Sequence, residues 1–132
     1  MKYNIIKNGD AINNATFITP WSFIHLFSGF VGILFINYFH ISEYIGIFLL
    51  IILHTFYEAK DFYFSYLYKG PETSISKWSS KNSLFNSLGD TVSFIIGIYL
   101  GRFIVPSKIE LVIICLVYII FYYIFIKNVH IK

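Results

Sequence analysis

Four side chains able to exchange protons or bind metal ions lie within apolar stretches of this sequence: His25, His54, Glu58 and Asp90. His54 and Glu58 are four residues apart, so on a helix they lie on the same face. Two imidazoles and two carboxylates that converge are suited to bind a divalent ion such as zinc, iron or manganese. The same groups are suited to relay a proton, because histidine titrates near neutral pH. A third interpretation is a hydrogen-bonded polar core that only fixes how the helices pack.

Further polar residues recur at helical spacing beside these four, which gives each of three apolar segments one polar face. In the third segment, for example, Asn86, Asp90 and Ser93 are separated by four and three residues. Polar groups within a bilayer usually turn toward the interior of a helix bundle. We therefore predict one shared site, with Glu58, Asp90 and His25 as its catalytic residues. The residues predicted to bind a ligand are Ser22, Asp61, Asn86 and Ser93, and the predicted metal ligands are His25, His54, Glu58 and Asp90.

The composition indicates that lipid is the expected environment of these segments. Of the 132 residues, 57% are hydrophobic and 13% are charged, whereas a soluble domain carries about 25% charged residues. A short chain buries too little of its surface to hide this much apolar area from water. The lysines are scattered, which argues against a nucleic-acid partner. A single cysteine, Cys115, excludes an internal disulfide and a cysteine-based metal site.

The predicted fold class is all-α, an integral membrane bundle of four transmembrane helices that forms one domain over residues 1–132. About 20 helical residues cross a hydrocarbon core of about 30 Å. The apolar run at 44–57 is shorter than this, so its helix must continue through the charged residues 58–61. The N-terminal segment lacks the apolar centre of a signal peptide, so the internal helices are expected to drive insertion. The predicted helices cover residues 20–39, 42–68, 84–101 and 109–127, with a polar loop at 69–83.

The distribution of basic residues predicts an orientation. Four crossings place both termini and the polar loop on one side of the membrane, together with eight lysines. The other side carries only Arg102 and Lys108. Because basic residues are enriched on the cytoplasmic side, both termini are predicted to be cytoplasmic.

The same residues resemble a family of small bacterial integral membrane proteins of unknown function. Residues 21–29 fit its W-S-x-x-H-x-x-x-G pattern, and residues 86–90 fit N-S-x-x-D. Residues 57–61 fit aromatic-E-x-x-E, with Asp61 in place of the second glutamate. The resemblance covers about residues 21–101, gives no activity, and has no counterpart of His54. It implies a site built from His25, Glu58, Asp61, Asn86 and Asp90.

Three functions fit these observations. The first is a membrane enzyme or binding protein that acts on a lipid headgroup or small polar ligand through a pocket on the cytoplasmic side, with a divalent metal as a candidate cofactor. The second is a proton or ion conduit, formed by a homo-oligomer in one version. The third is a structural membrane protein with a polar core. A conduit needs polar groups through the full membrane depth. The outer halves of these helices are apolar, which counts against the conduit.

Overall fold

The computed structural model describes the backbone of residues 2–6, 14–67 and 80–130, and the side chains of residues 17–60 and 85–128. Two short strands, β1 (Lys2–Ile6) and β2 (Asn14–Ile18), pair in parallel. Four helices follow: α1 (Pro20–Tyr38), α2 (Glu43–Leu67), α3 (Ser80–Gly101) and α4 (Lys108–His130). The predicted all-helical architecture with four helices is therefore confirmed for the described residues, with an unpredicted strand pair added before the first helix.

The helix ends lie within a few residues of the predicted ones, with one larger difference at α3. This helix begins at Ser80, so residues 80–83 are helical and do not belong to the predicted polar loop. Serine, lysine and asparagine cost a helix well under 1 kcal/mol each, so a polar run does not prevent helix formation. Residues 68–79, which make up most of that loop, lie outside the described residues.

Glycines bring α1 and α3 into close contact. A Cβ atom on Gly29 would overlap the backbone carbonyl of Phe94, and one on Gly97 would overlap the carbonyl of Leu26. Small residues allow two helix backbones to approach each other this closely. The buried core lies beside this contact and contains Ile33, Ile36, Phe94 and Ile98, with Ile47 and Leu50 of α2 packed against it.

Replacing Gly29 with alanine is expected to destabilise the bundle by about 1–3 kcal/mol, because backbone has to move to admit the methyl group. The gain of about 1 kcal/mol in helix propensity is included in this range. Gly32→Ala is the matched control on the same helix. Its methyl would lie 2.8 Å from Leu50 Cδ2, the end of a flexible side chain. Unfolding of both variants in detergent with increasing SDS measures the difference, and equal stabilities would contradict the proposed close approach.

The end of the bundle formed by residues 37–43 and 101–104 is held by polar contacts. The amide of Asn37 donates to the carbonyls of Gly101, Arg102 and Ile104, at 3.3, 3.0 and 2.8 Å. These carbonyls belong to the last residue of α3 and to the connection that follows it, where helical partners run out. Arg102 also forms an ion pair with Glu43 at the start of α2. The Asn37 side chain of α1 thus supplies hydrogen-bond donors at the end of α3. We refer to this end of the bundle, residues 37–43 and 101–104, as the Asn37 end.

The fourth helix is attached to the others mainly through α1. The hydroxyls of Ser28 and Tyr118 are hydrogen-bonded at 2.6 Å. The rings of Trp21 and Phe125 pack edge to face, with centroids 4.9 Å apart. Most of the remaining side chains of α4 are exposed and apolar.

Two helices within the described residues are long and apolar enough to cross a membrane. They are Pro20–Tyr38, with a mean hydropathy of 1.4, and Lys108–Asn128, with a mean hydropathy of 2.7. Helices α2 and α3 are not among these candidates within the described residues. Both carry polar and charged residues, such as Glu58 and Asp90. The prediction of membrane helices is thus supported at two of the four positions.

Candidate functional site

The first turn of α1 positions Ser22 to hold a carboxylate from another helix. Thr19 precedes the helix and Pro20 opens it, a position that proline favours because its fixed φ is helical. The backbone N–H of Thr19 donates to Ser22 Oγ at 3.1 Å. Ser22 Oγ in turn donates to Asp90 Oδ1 of α3 at 2.7 Å. The start of α1 is therefore tied directly to the middle of α3.

His25, one turn further along α1, lies between the carboxylates of α2 and α3. Its Nε2 is 3.4 Å from Asp90 Oδ2 and 3.6 Å from Glu58 Oε1. Its other nitrogen, Nδ1, is 3.1 Å from His54 Nε2. His54 and Glu58 lie on one face of α2 as their spacing predicts, with Nε2 and Oε1 3.6 Å apart. We call His25, His54, Glu58 and Asp90 the polar cluster.

The polar cluster is well shielded by protein. His25, His54 and Asp90 are 9%, 6% and 5% exposed, and the Glu58 side chain is 13% exposed. Interactions among charged and polar groups are stronger in such surroundings than in water, and unmade ones cost more. The cluster therefore imposes a defined arrangement on three helices.

The hydrogen bonds of the cluster are consistent with one tautomeric chain. If His25 carries its proton on Nε2, this nitrogen donates toward the carboxylates and Nδ1 accepts from His54 Nε2–H. In that arrangement His54 Nδ1 is an acceptor, and this buried atom has no hydrogen-bond partner among the described residues. The chain runs from one imidazole through the other to a carboxylate, which is an arrangement suited to accept, hold and return a proton.

Two residues that the sequence analysis did not assign to the site support it. Ser87 Oγ donates to Glu58 Oε2 at 2.7 Å. Phe94 stacks on the His54 ring, with centroids 4.4 Å apart and planes 28° apart. Both have a signal in the sequence, because Ser87 precedes Asp90 by three residues and Phe94 follows it by four, so all three lie on one face of α3.

The structure does not bring every residue of the predicted site into the cluster. Ser93 is buried on α3, but its hydroxyl donates to the Gly89 carbonyl one turn earlier at 2.9 Å. Asn86 is half-buried, and its Oδ1 has no hydrogen-bond partner among the described residues. Asp61 lies on α2, and its side chain falls outside the described residues. Of the three predicted ligand-binding residues whose side chains are described, Ser22 is the one seen to form a hydrogen bond with the cluster.

Comparison of the chain with protein-family models, with curated proteins and with solved structures finds no match. The resemblance to a family of small bacterial membrane proteins therefore stays a prediction, and the geometry of the polar cluster is the remaining indication of function.

Proposed function

We propose that this protein is an integral membrane protein of four crossings whose polar cluster binds and acts on a small polar ligand, such as a lipid headgroup, by acid–base chemistry. The observation that carries the proposal is the convergence of two histidines and two carboxylates from α1, α2 and α3 within hydrogen-bonding range of one another.

Exposed apolar surface supports a membrane location for all four helices. Phe48 and Leu53 of α2 are 64% and 65% exposed, and Leu100 of α3 and Ile119 of α4 are 61% and 60% exposed. Apolar area on this scale, distributed over every helix, is typical of contact with lipid or with other protein. At 1.5 Å per residue α2 and α3 are about 37 and 33 Å long, enough to cross the hydrocarbon core of about 30 Å.

The distance along the helices from the ion pair at the Asn37 end to the polar cluster is used to estimate how deep in the membrane the cluster would lie. Glu43 and Glu58 are separated by 15 residues of α2, about 22 Å, and Asp90 and Arg102 by 12 residues of α3, about 18 Å. If the Glu43–Arg102 pair lies at one membrane boundary, the cluster lies about 10 Å inside the other. By the distribution of lysines this second boundary is the cytoplasmic one.

The contacts within the polar cluster suggest a different chemical role for each residue. Asp90 and Ser22 orient His25, as the third member of a catalytic constellation orients its base. Glu58 is the most exposed member of the cluster, so it is the carboxylate placed to meet a ligand first. We assign Glu58 as the proton acceptor or donor at the ligand, with His25 as its partner in proton transfer.

The apolar core argues against the conduit. Ile33, Ile36, Phe94 and Ile98 fill the space between the helices on the Asn37 side of the cluster, and a continuous proton or ion path needs polar groups there. A purely structural role is also disfavoured, because buried ionic groups seldom stabilise a protein more than apolar residues of similar volume. Ionisable residues inside a membrane are by default functional.

The test uses tag-free, full-length protein in nanodiscs of mixed phospholipids, followed by mass spectrometry of bound and converted lipids. Wild-type protein is expected to retain or convert one headgroup class, and Glu58→Gln to lose at least about 100-fold of that signal, the lower end of the range for general acid–base groups. Glu110→Gln is the matched control, since Glu110 is an exposed carboxylate at the start of α4.

Circular dichroism and SDS unfolding accompany these measurements. Loss of the lipid signal in a folded Glu58→Gln variant supports the proposal. A wild-type protein that neither retains nor converts a lipid, or an equal loss in Glu110→Gln, contradicts it.

A further inference from the structure

The ligand atoms of the polar cluster have the spacing of a metal centre. Nitrogen or carboxylate oxygen ligands about 2.0–2.1 Å from a tetrahedral zinc ion lie about 3.3–3.4 Å from each other. His25 Nδ1 and His54 Nε2 are 3.1 Å apart, and His54 Nε2 and Glu58 Oε1 are 3.6 Å apart. One ligand atom from each of the three residues lies within 4.8 Å of the others.

The remaining polar atoms of two of these ligands are already held from outside. Glu58 Oε2 accepts from Ser87, which leaves Oε1 directed at both imidazoles. His25 Nε2 faces Asp90, whose other oxygen is fixed by Ser22. A histidine that binds metal through one nitrogen and donates to a carboxylate through the other is the usual outer-shell arrangement of protein metal sites. Phe94 fixes the plane of His54 by stacking.

We propose that His25 Nδ1, His54 Nε2 and Glu58 Oε1 bind a divalent transition-metal ion of the zinc class, with Asp90 as the positioning carboxylate of His25. Three ligands leave one coordination position for water or for an oxygen of the ligand, as in catalytic zinc sites. The proposal deepens the proposed function and depends on it for its chemical purpose. With the ion bound, His25 and Glu58 would hold it, and the ion would polarise the ligand or activate a water in place of direct proton transfer by these two residues. Mixed imidazole and carboxylate ligands favour zinc, iron or manganese over magnesium or calcium.

The experiment measures binding of zinc and cobalt to tag-free, full-length protein that has been treated with a chelator in detergent. Calorimetry with Zn²⁺ is expected to give one site per chain, and Co²⁺ to give the intense visible absorption of a four-coordinate centre. His54→Gln is expected to weaken Zn²⁺ binding by more than about 100-fold, and Asp90→Asn by about 10-fold, as outer-shell substitutions do.

His40→Asn is the matched control. His40 is exposed in the turn after α1 and has a φ of 53°, a conformation that asparagine tolerates well. This variant is expected to bind zinc as wild type does. Because Gln retains most of the volume of His54 and Asp90→Asn most of that of Asp90, a folded variant is expected in each case, and SDS unfolding establishes it. If His54→Gln does not fold, the Co²⁺ spectrum of Glu58→Gln tests the site instead, and it is expected to lack the intense absorption of the wild-type protein.

Two results overturn the metal site. One is wild-type protein without stoichiometric Zn²⁺ or the Co²⁺ spectrum, and the other is equal weakening in His40→Asn and His54→Gln. If metal is absent but Glu58→Gln still abolishes lipid retention or conversion, the metal site fails and the proposed function stands. If one metal ion binds and no lipid is retained or converted, the metal site stands and the lipid function fails.

Discussion

Replacement of Asp90 with alanine is expected to lower the free energy of unfolding by about 2–4 kcal/mol, because it leaves two buried donors without their acceptor. Ser22 Oγ donates to one oxygen of Asp90 at 2.7 Å, and His25 Nε2 faces the other at 3.4 Å. A buried donor whose partner is removed costs about 1–3 kcal/mol. Asp90→Asn keeps one acceptor oxygen and is expected to cost about half as much. Unfolding in mixed detergent and SDS measures both.

Ser93→Ala is the control on the same helix. The Ser93 hydroxyl donates only to the carbonyl of its own preceding turn among the described contacts, and such bonds add little to a helix. A change below about 0.5 kcal/mol is expected. A double-mutant cycle between Ser22→Ala and Asp90→Ala should give a coupling energy of about 1–3 kcal/mol, as residues in contact do. Additive effects would show that the two residues do not interact, contrary to the geometry.

Helical spacing accounts for the part of the cluster that could be anticipated from the sequence. The four-residue separation of His54 and Glu58 places them on one face whatever surrounds the helix. His25 and Asp90 lie in apolar segments that are expected to be in the membrane. Facing lipid would be costly for their side chains, so they are expected to face the bundle interior. The predicted convergence of these residues therefore follows from the helical repeat and from the expected membrane environment. Their chemical roles do not follow from it and depend on the experiments proposed above.

The contacts that complete the cluster depend on how the helices are rotated and spaced, which the sequence does not state. Ser87 and Ser93 are both hydroxyl residues on α3, yet Ser87 donates to Glu58 and Ser93 to its own backbone. Asn37 is one of the polar residues that interrupt the first apolar run, and its amide donates to three carbonyls at and just after the end of α3, which its position in the sequence does not indicate. Which partner such a side chain meets depends on the distance between α1 and α3, and the glycine contacts allow that distance to be short.

The number of membrane crossings is the feature on which the sequence and the structure differ most. Composition predicted four, and two helices are apolar enough by their own residues. The charged residues of α2 and α3 lower their hydropathy, but several of these residues are the ones that the bundle buries, such as Asp90 and Glu58. Hydropathy averages over all faces of a helix, whereas lipid contacts only the outer face. A direct measurement of lipid exposure is therefore more informative than a hydropathy value.

Cys115 provides that measurement, because it is the only cysteine in the chain and lies within α4. It is half-buried, and its neighbours Leu116 and Val117 are 55% and 51% exposed, so protein alone does not shield it. A membrane-impermeant maleimide carries a charged group, and bringing a charged group to the centre of the membrane costs about 2.5–3.5 kcal/mol. Since 1.4 kcal/mol corresponds to a factor of ten, labelling is expected to be about 100-fold slower than in water.

Ser107→Cys in a Cys115→Ala background is the matched reporter, since Ser107 is exposed just before α4. In right-side-out vesicles it is expected to be labelled rapidly from outside, because the α3–α4 connection is predicted to be extracytoplasmic. Denaturation should make the two cysteines equally reactive. Rapid labelling of Cys115 in intact vesicles would mean that α4 lies in water, and its exposed apolar face would then need a protein partner instead of lipid. If Ser107→Cys is labelled only after the vesicles are opened, α4 still crosses the membrane, but the orientation is the reverse of the predicted one.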